Sequence, residues 1–118
     1  MLLGALLDTG INKKSFLKEL RKLKITDNEH RAYIEIKNII EKSKLSKFVK
    51  QKSIAVFKCL AKAEAKIHGT SLKNIHFHEI GRKENIISIV GSIMCLELLG
   101  IKKIYSSSLN LGKGTVKC

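Results

Sequence analysis

The stretch from Ile86 to Leu99 constrains this chain most, because it is apolar nearly all the way round a helical wheel. Ile87, Ile89, Val90, Ile93, Met94, Leu96 and Leu98 leave no wide polar stripe, so a helix here must be central rather than superficial. Gly91 in its middle suits close packing against a neighbour, and Gly100 ends the run. A central helix needs amphipathic partners to cover it, and the rest of the chain supplies them.

Leu2, Leu3, Ala5, Leu6 and Leu7 predict one or two buried helical turns, with Gly10 as the stop. Asn12 is placed to cap a short helix whose apolar stripe is Phe16, Leu20 and Leu23, set against Lys13, Lys14, Lys18, Arg21 and Lys22. From Ile25 to Arg31 the sequence is polar, and Asp27, Asn28 and Glu29 predict a loop. Tyr33, Ile36, Ile39 and Ile40 then repeat at helical spacing as far as Ser43. After Ser46 comes the longest periodic stretch. Val49, Val56, Leu60, Ala63 and Ile67 mark its expected buried face, which Phe57 and Cys59 widen. Lys66 and His68 complement its negative end, and Gly69 suits the left-handed cap. Ile101, Ile104 and Tyr105 predict a short strand, and Thr115 to Lys117 a second. The fold class is therefore mainly α, a helix-rich bundle with one or two short strands near the carboxyl end, in a single unit over residues 1–118.

Charge narrows the partners less than its size suggests. Lysine and arginine number 23 against 10 acids, a formal charge of +13, which attracts nucleic acid or an anionic ligand through its long-range field. The lysines spread over all three predicted amphipathic helices, however, and the few aromatic residues are not interleaved with them, so no base-stacking platform is visible. A small basic helical nucleic-acid-binding protein is kept as the alternative class. Cys59, Cys95 and Cys118 are odd in number and far apart, as expected of reduced thiols in a cytoplasmic protein. Cys59 and Cys95 have apolar neighbours and read as small core residues. Met1 to Leu7 lacks a basic leader and Asp8 interrupts it, so neither a signal peptide nor a membrane span is expected.

Chemistry concentrates in IHFHEIG, Ile75 to Gly81. In an extended segment His76 and His78 project to one side while Ile75, Phe77 and Ile80 anchor the other, giving two nitrogen ligands with the Glu79 carboxylate nearby. Imidazole and carboxylate suit nickel, zinc or iron. The alternative is a hydrogen-bonded pair of histidines at a turn. Glu84 is either a further oxygen ligand or an acid favoured at a helix start, and Asn85 reads as a cap. Gly112 and Gly114 around Lys113 offer backbone amides to a cofactor phosphate, although a plain hairpin turn accounts for them better and no P-loop or dinucleotide fingerprint is present.

The run AEAKIHGTSLKNIHFHEIG, Ala63 to Gly81, resembles the LarC family of nickel-insertion proteins. The resemblance continues through Ile86, Ile89, Val90, Gly91, Leu99 and Gly100. The tail LNLGKGTVKC is similar to a Gly-x-Gly-x-Val-x-Cys element of that family, and Met1 to Leu7 to a segment just after its glycine-rich opening. This implies a fragment of an α/β domain from a cytoplasmic, CTP-dependent nickel chelatase, a lyase working with manganese or magnesium. Nickel is then the transferred metal. Its acceptor is the pyridinium bisthiocarboxylate mononucleotide, precursor of the lactate racemase pincer cofactor. His76, His78 and Glu79 would be a retained metal site. The family's opening strand with its Gly-Ser-Gly-Asp loop is expected before Met1, a longer segment with a histidine-rich loop near Thr26 to Glu29, and a nucleotide-binding domain beyond Cys118; His30 would be that loop's remnant. Glu84, Asn85, Ser88 and Ser108 stand where the family carries aspartate, serine, aspartate and proline. A truncated form with weak or no independent turnover is expected, or a module that docks to a separately encoded remainder.

Overall fold

The computed structural model describes residues 1–27, 30–110, 112, 114 and 115. Five helices account for most of it: α1 (Leu2–Leu7), α2 (Lys13–Leu20), α3 (Tyr33–Lys42), α4 (Lys47–His68) and α5 (Lys83–Leu98). Two short strands, β1 (Arg31–Ala32) and β2 (His76–Phe77), pair antiparallel. The class is mainly α, as the periodicities predict.

The apolar segment becomes α5, and α1, α2 and α4 all pack on it. Its side chains Ile86, Val90, Ile93, Met94 and Cys95 are buried together with Phe16, Ile36, Ile40, Phe57 and Phe77 in one core. Gly91 is where α1 and α2 reach it: a Cβ there would lie 3.2 Å from both methyls of Leu3 and 3.3 Å from the Phe16 ring tip. The Asn12 side chain accepts from the Ser15 amide at the start of α2, and Gly69 closes α4 in the left-handed conformation. Ser46 caps α4 by accepting from the Val49 amide, while its hydroxyl donates to the Glu97 carboxylate at 2.7 Å, so one side chain fixes the start of α4 to the end of α5.

Four expectations change. The turns of α1, expected to be buried, bury none of their residues fully: Leu3, Leu6 and Leu7 pack against the core from its edge and Leu2 is 64% exposed, because a terminal helix of six residues is covered on one side only. The buried face of α4 is Val49, Ser53, Phe57 and Ala61, while Val56 is 38% and Ile67 77% exposed and Ala63 and Cys59 also face outward. The helix carries two apolar stripes, and packing against α3 and α5 selected the one centred on Phe57. The strand expected at 101–105 is absent, and Ile101, Ile104 and Tyr105 are exposed without regular structure. A strand needs a partner edge for its backbone groups, and among the described residues no such edge lies beside that segment. The strands that do form lie at 31–32, inside the expected loop, and at 76–77. Of the second predicted strand, Thr115 is exposed and irregular, and Val116 and Lys117 fall outside the described residues, as does Cys118.

Candidate metal centre

Pairing of β1 with β2 builds the site. The register sets Arg31 opposite Phe77 and Ala32 opposite His76. Side chains alternate along a strand, so Arg31 and Phe77 turn inward, 3% and 2% exposed, and the residues on either side of them face out. One further step in the same register sets His30 opposite His78. Their rings are 5.0 Å apart between centroids, with planes inclined at 79°. His76 projects from the same outer side, as the sequence predicts for an extended segment.

Buried contacts hold this short ribbon in place. The Arg31 guanidinium donates to the Gly81 carbonyl at 2.7 Å and also to the Thr26 carbonyl, tying the chain on both sides of His30 to the turn after β2. Gly81 permits that closeness: a Cβ there would lie 2.5 Å from the Phe77 carbonyl oxygen and 2.9 Å from the Arg31 nitrogen. Lys83 in the first turn of α5 donates to Asp27 at 2.8 Å, and this hydrogen bond and charge hold the Asp27 carboxyl below its ordinary value. Asn85 does not cap α5. Its side-chain amide donates to the Glu79 carbonyl at 2.6 Å and fixes the loop between β2 and α5.

A cavity of about 250 Å³ is lined by Glu64, His76, His78 and Glu79, floored by Phe77 and Ile80. It gathers the predicted His76, His78 and Glu79 and adds Glu64, which lies on α4 with an oxygen 3.4 Å from His68 Nε2. Glu84 is exposed in the first turn of α5, outside this cavity, where an acid complements the helix start. Among the described residues no group of three or more imidazole, thiol or carboxylate side chains is placed to hold a metal ion. What the fold supplies is a histidine pair with acids at its margin. Sequence spacing gave no signal for Glu64 or for the pairing of His30, because both depend on contacts between distant segments.

Gly112 and Gly114 are exposed and flanked by no helix or strand among the described residues, and Lys113 lies outside them. Two other surfaces stand out. A groove of about 490 Å³ between the ends of α2 and α3 is lined by Lys18, Arg21, Lys22, Lys24, Lys42 and Lys44, so part of the charge that reads as dispersed along the sequence is gathered in space. A larger, apolar groove of about 700 Å³ runs beside α4, with Phe48, Val56, Cys59, Leu96, Ile101 and Ile104 among its walls. No helix among the described residues is long and apolar enough to cross a membrane.

The family model for "Nickel insertion protein" matches residues 24–118, which include both strands, α3, α4 and α5. The chain is 42% identical over 91 residues to the pyridinium-3,5-bisthiocarboxylic acid mononucleotide nickel insertion protein of Akkermansia muciniphila, covering 77% of this chain and 22% of that protein. It is 37% identical over 142 aligned positions to the protein of that name from Desulfitobacterium hafniense, covering 99% of this chain and 35% of the relative. For the Acetivibrio thermocellus protein of that name the identity is 36% over 152 positions, covering 100% and 37%. The chain thus spans roughly a quarter to a third of the length of these relatives. No solved structure matches it. With the family model covering all but the first helices, and relatives of 36% and 37% identity aligned along essentially the whole chain, this protein belongs to the nickel insertion protein family.

Proposed function

We propose that this chain is a nickel-holding part of the machinery that metallates the pyridinium bisthiocarboxylate mononucleotide, the precursor of the lactate racemase pincer cofactor. The observation that carries the reading is the cavity that gathers His76 and His78 with Glu64 and Glu79, in a chain whose relatives are named nickel insertion proteins for that mononucleotide. Nickel is the cargo. His76 and His78 offer it nitrogen, and Glu79 offers oxygen from the same cavity wall, a donor set suited to a borderline divalent ion. Open coordination positions favour release to an acceptor over permanent storage.

A CTP site with manganese or magnesium does not fit the described residues. Gly112 and Gly114 are exposed and sit at no helix amino terminus, and among the described residues no cluster of acids lies beside them to hold the divalent ion. Turnover by this chain alone is proposed to be weak or absent. The apolar groove beside α4 supports docking to the remainder of such a protein, encoded separately or otherwise, because an exposed surface of that kind is ordinarily covered in use. The cation-lined groove is suited to an anionic group such as the mononucleotide's phosphate.

Calorimetric titration with nickel(II) tests the reading. The native chain is expected to bind, and the His76→Ala, His78→Ala double variant to lose at least about tenfold in affinity, as expected on removing nitrogen ligands. Absence of binding in a folded native sample would overturn it.

A further inference from the structure

We infer that His30 is a further nickel ligand, acting with His78 across the end of the β1–β2 ribbon. The inference rests on the nickel-holding reading and adds a residue that is 46 positions before the nearest histidine of the HFHE run, on a different strand.

Register is the first support. Arg31 opposite Phe77 and Ala32 opposite His76 make His30 and His78 the next facing positions, and facing positions in an antiparallel pair carry side chains on the same side. Distance is the second. Two imidazoles bound to one cation at about 2.1 Å, with a bond angle between about 90° and 110°, bring their ring centroids to about 4.6–5.3 Å. The observed separation is 5.0 Å, within that range, so the backbone spacing matches a chelate once the ring nitrogens turn toward a common ion. The third support is that the ribbon is rigidly placed. Arg31, directly after His30, is buried and bound to the Gly81 carbonyl, and Gly81 admits no side chain between the strands.

This arrangement suits an ion in transit. His30 and His78 would fill two neighbouring positions on the ion, and no third imidazole, thiol or carboxylate among the described residues is placed to join them. The rest remain open to water or to an acceptor's own donors. A four-ligand cage would bind more tightly and release more slowly, as closed structural sites do. His30 and His78 are both exposed, so exchange requires no opening of the core.

The test is nickel(II) titration of the native chain, His30→Gln, His78→Gln, the His30→Gln, His78→Gln pair, and the His76→Ala, His78→Ala double variant, with circular dichroism to establish folding. His30→Gln is expected to weaken binding at least tenfold, and the His30, His78 pair to weaken it less than the product of the two single effects. Paramagnetic broadening by nickel of both the His30 and His78 ring protons in the native chain is expected independently of any substitution. Unchanged affinity in His30→Gln, beside lost affinity in the His76, His78 double variant, would overturn this inference and leave the nickel-holding reading standing. No nickel binding by the folded native chain would overturn both.

Discussion

Ser53 lies at the enclosed centre of α4 with no exposure, and its hydroxyl has no hydrogen-bond partner among the described residues. A buried hydroxyl without a partner costs about 1–3 kcal/mol. Ser53→Ala is therefore expected to raise stability by about 1 kcal/mol in urea unfolding, the void left by the oxygen offsetting part of the gain. The two described cysteines separate in a related way. Burial raises the Cys95 thiol above its ordinary value, whereas Cys59 is exposed beside the apolar groove. In a Cys118→Ser background, Cys59 is expected to react with a thiol reagent at pH 8 in the native state and Cys95 only after unfolding, because the thiolate is the reactive form. The raised Cys95 value makes its contribution to stability fully present below the unfolded thiol's pKa and lost as pH rises through the folded one. The reading of Cys95 as a core residue is legible from its apolar neighbours on both sides. The same reasoning fails for Cys59, since apolar neighbours along a helix do not identify which stripe meets the core.

At the scale of elements, the β1–β2 ribbon is the piece on which the site depends. Its two-residue strands would not persist without Arg31 and the close approach at Gly81. Gly81→Ala sets a methyl group into the Phe77 carbonyl and the Arg31 nitrogen, both backbone atoms that cannot step aside singly. It is expected to cost about 1–3 kcal/mol and to lower nickel affinity by separating the strands, read by denaturation and calorimetry on the same sample. A variant as stable and as tight as native would show that the ribbon does not need this contact. Elements with one unambiguous pattern were legible: α2 and α3 from their stripes and Asn12, α5 from its apolar circumference. The ribbon was not, because Arg31 and Ala32 carry no strand pattern of their own and pair only when β2 is brought to them.

Across the whole molecule, apolar surface remains open along one side. Phe48, Val56, Ile101 and Ile104 are 38%, 38%, 36% and 70% exposed around the same groove, more contiguous apolar area than scattered surface residues provide. The native chain is expected to bind a hydrophobic fluorescent dye there. Val56→Glu with Ile104→Glu should reduce that signal severalfold while leaving the melting temperature within a few degrees, since neither side chain belongs to the core. Loss of cooperative melting in this variant would instead assign those residues to the fold. By itself the sequence determined the helical class, most helix ends, the centrality of α5 and the outward placement of His76 and His78, because these follow from periodicity, capping and alternation among near neighbours. Only the tertiary structure decided which stripe of α4 is buried, that Glu64 joins the cavity and that His30 faces His78. Those outcomes depend on distances between segments far apart in the chain, which are fixed when a common core excludes water and not by any local preference of the residues themselves.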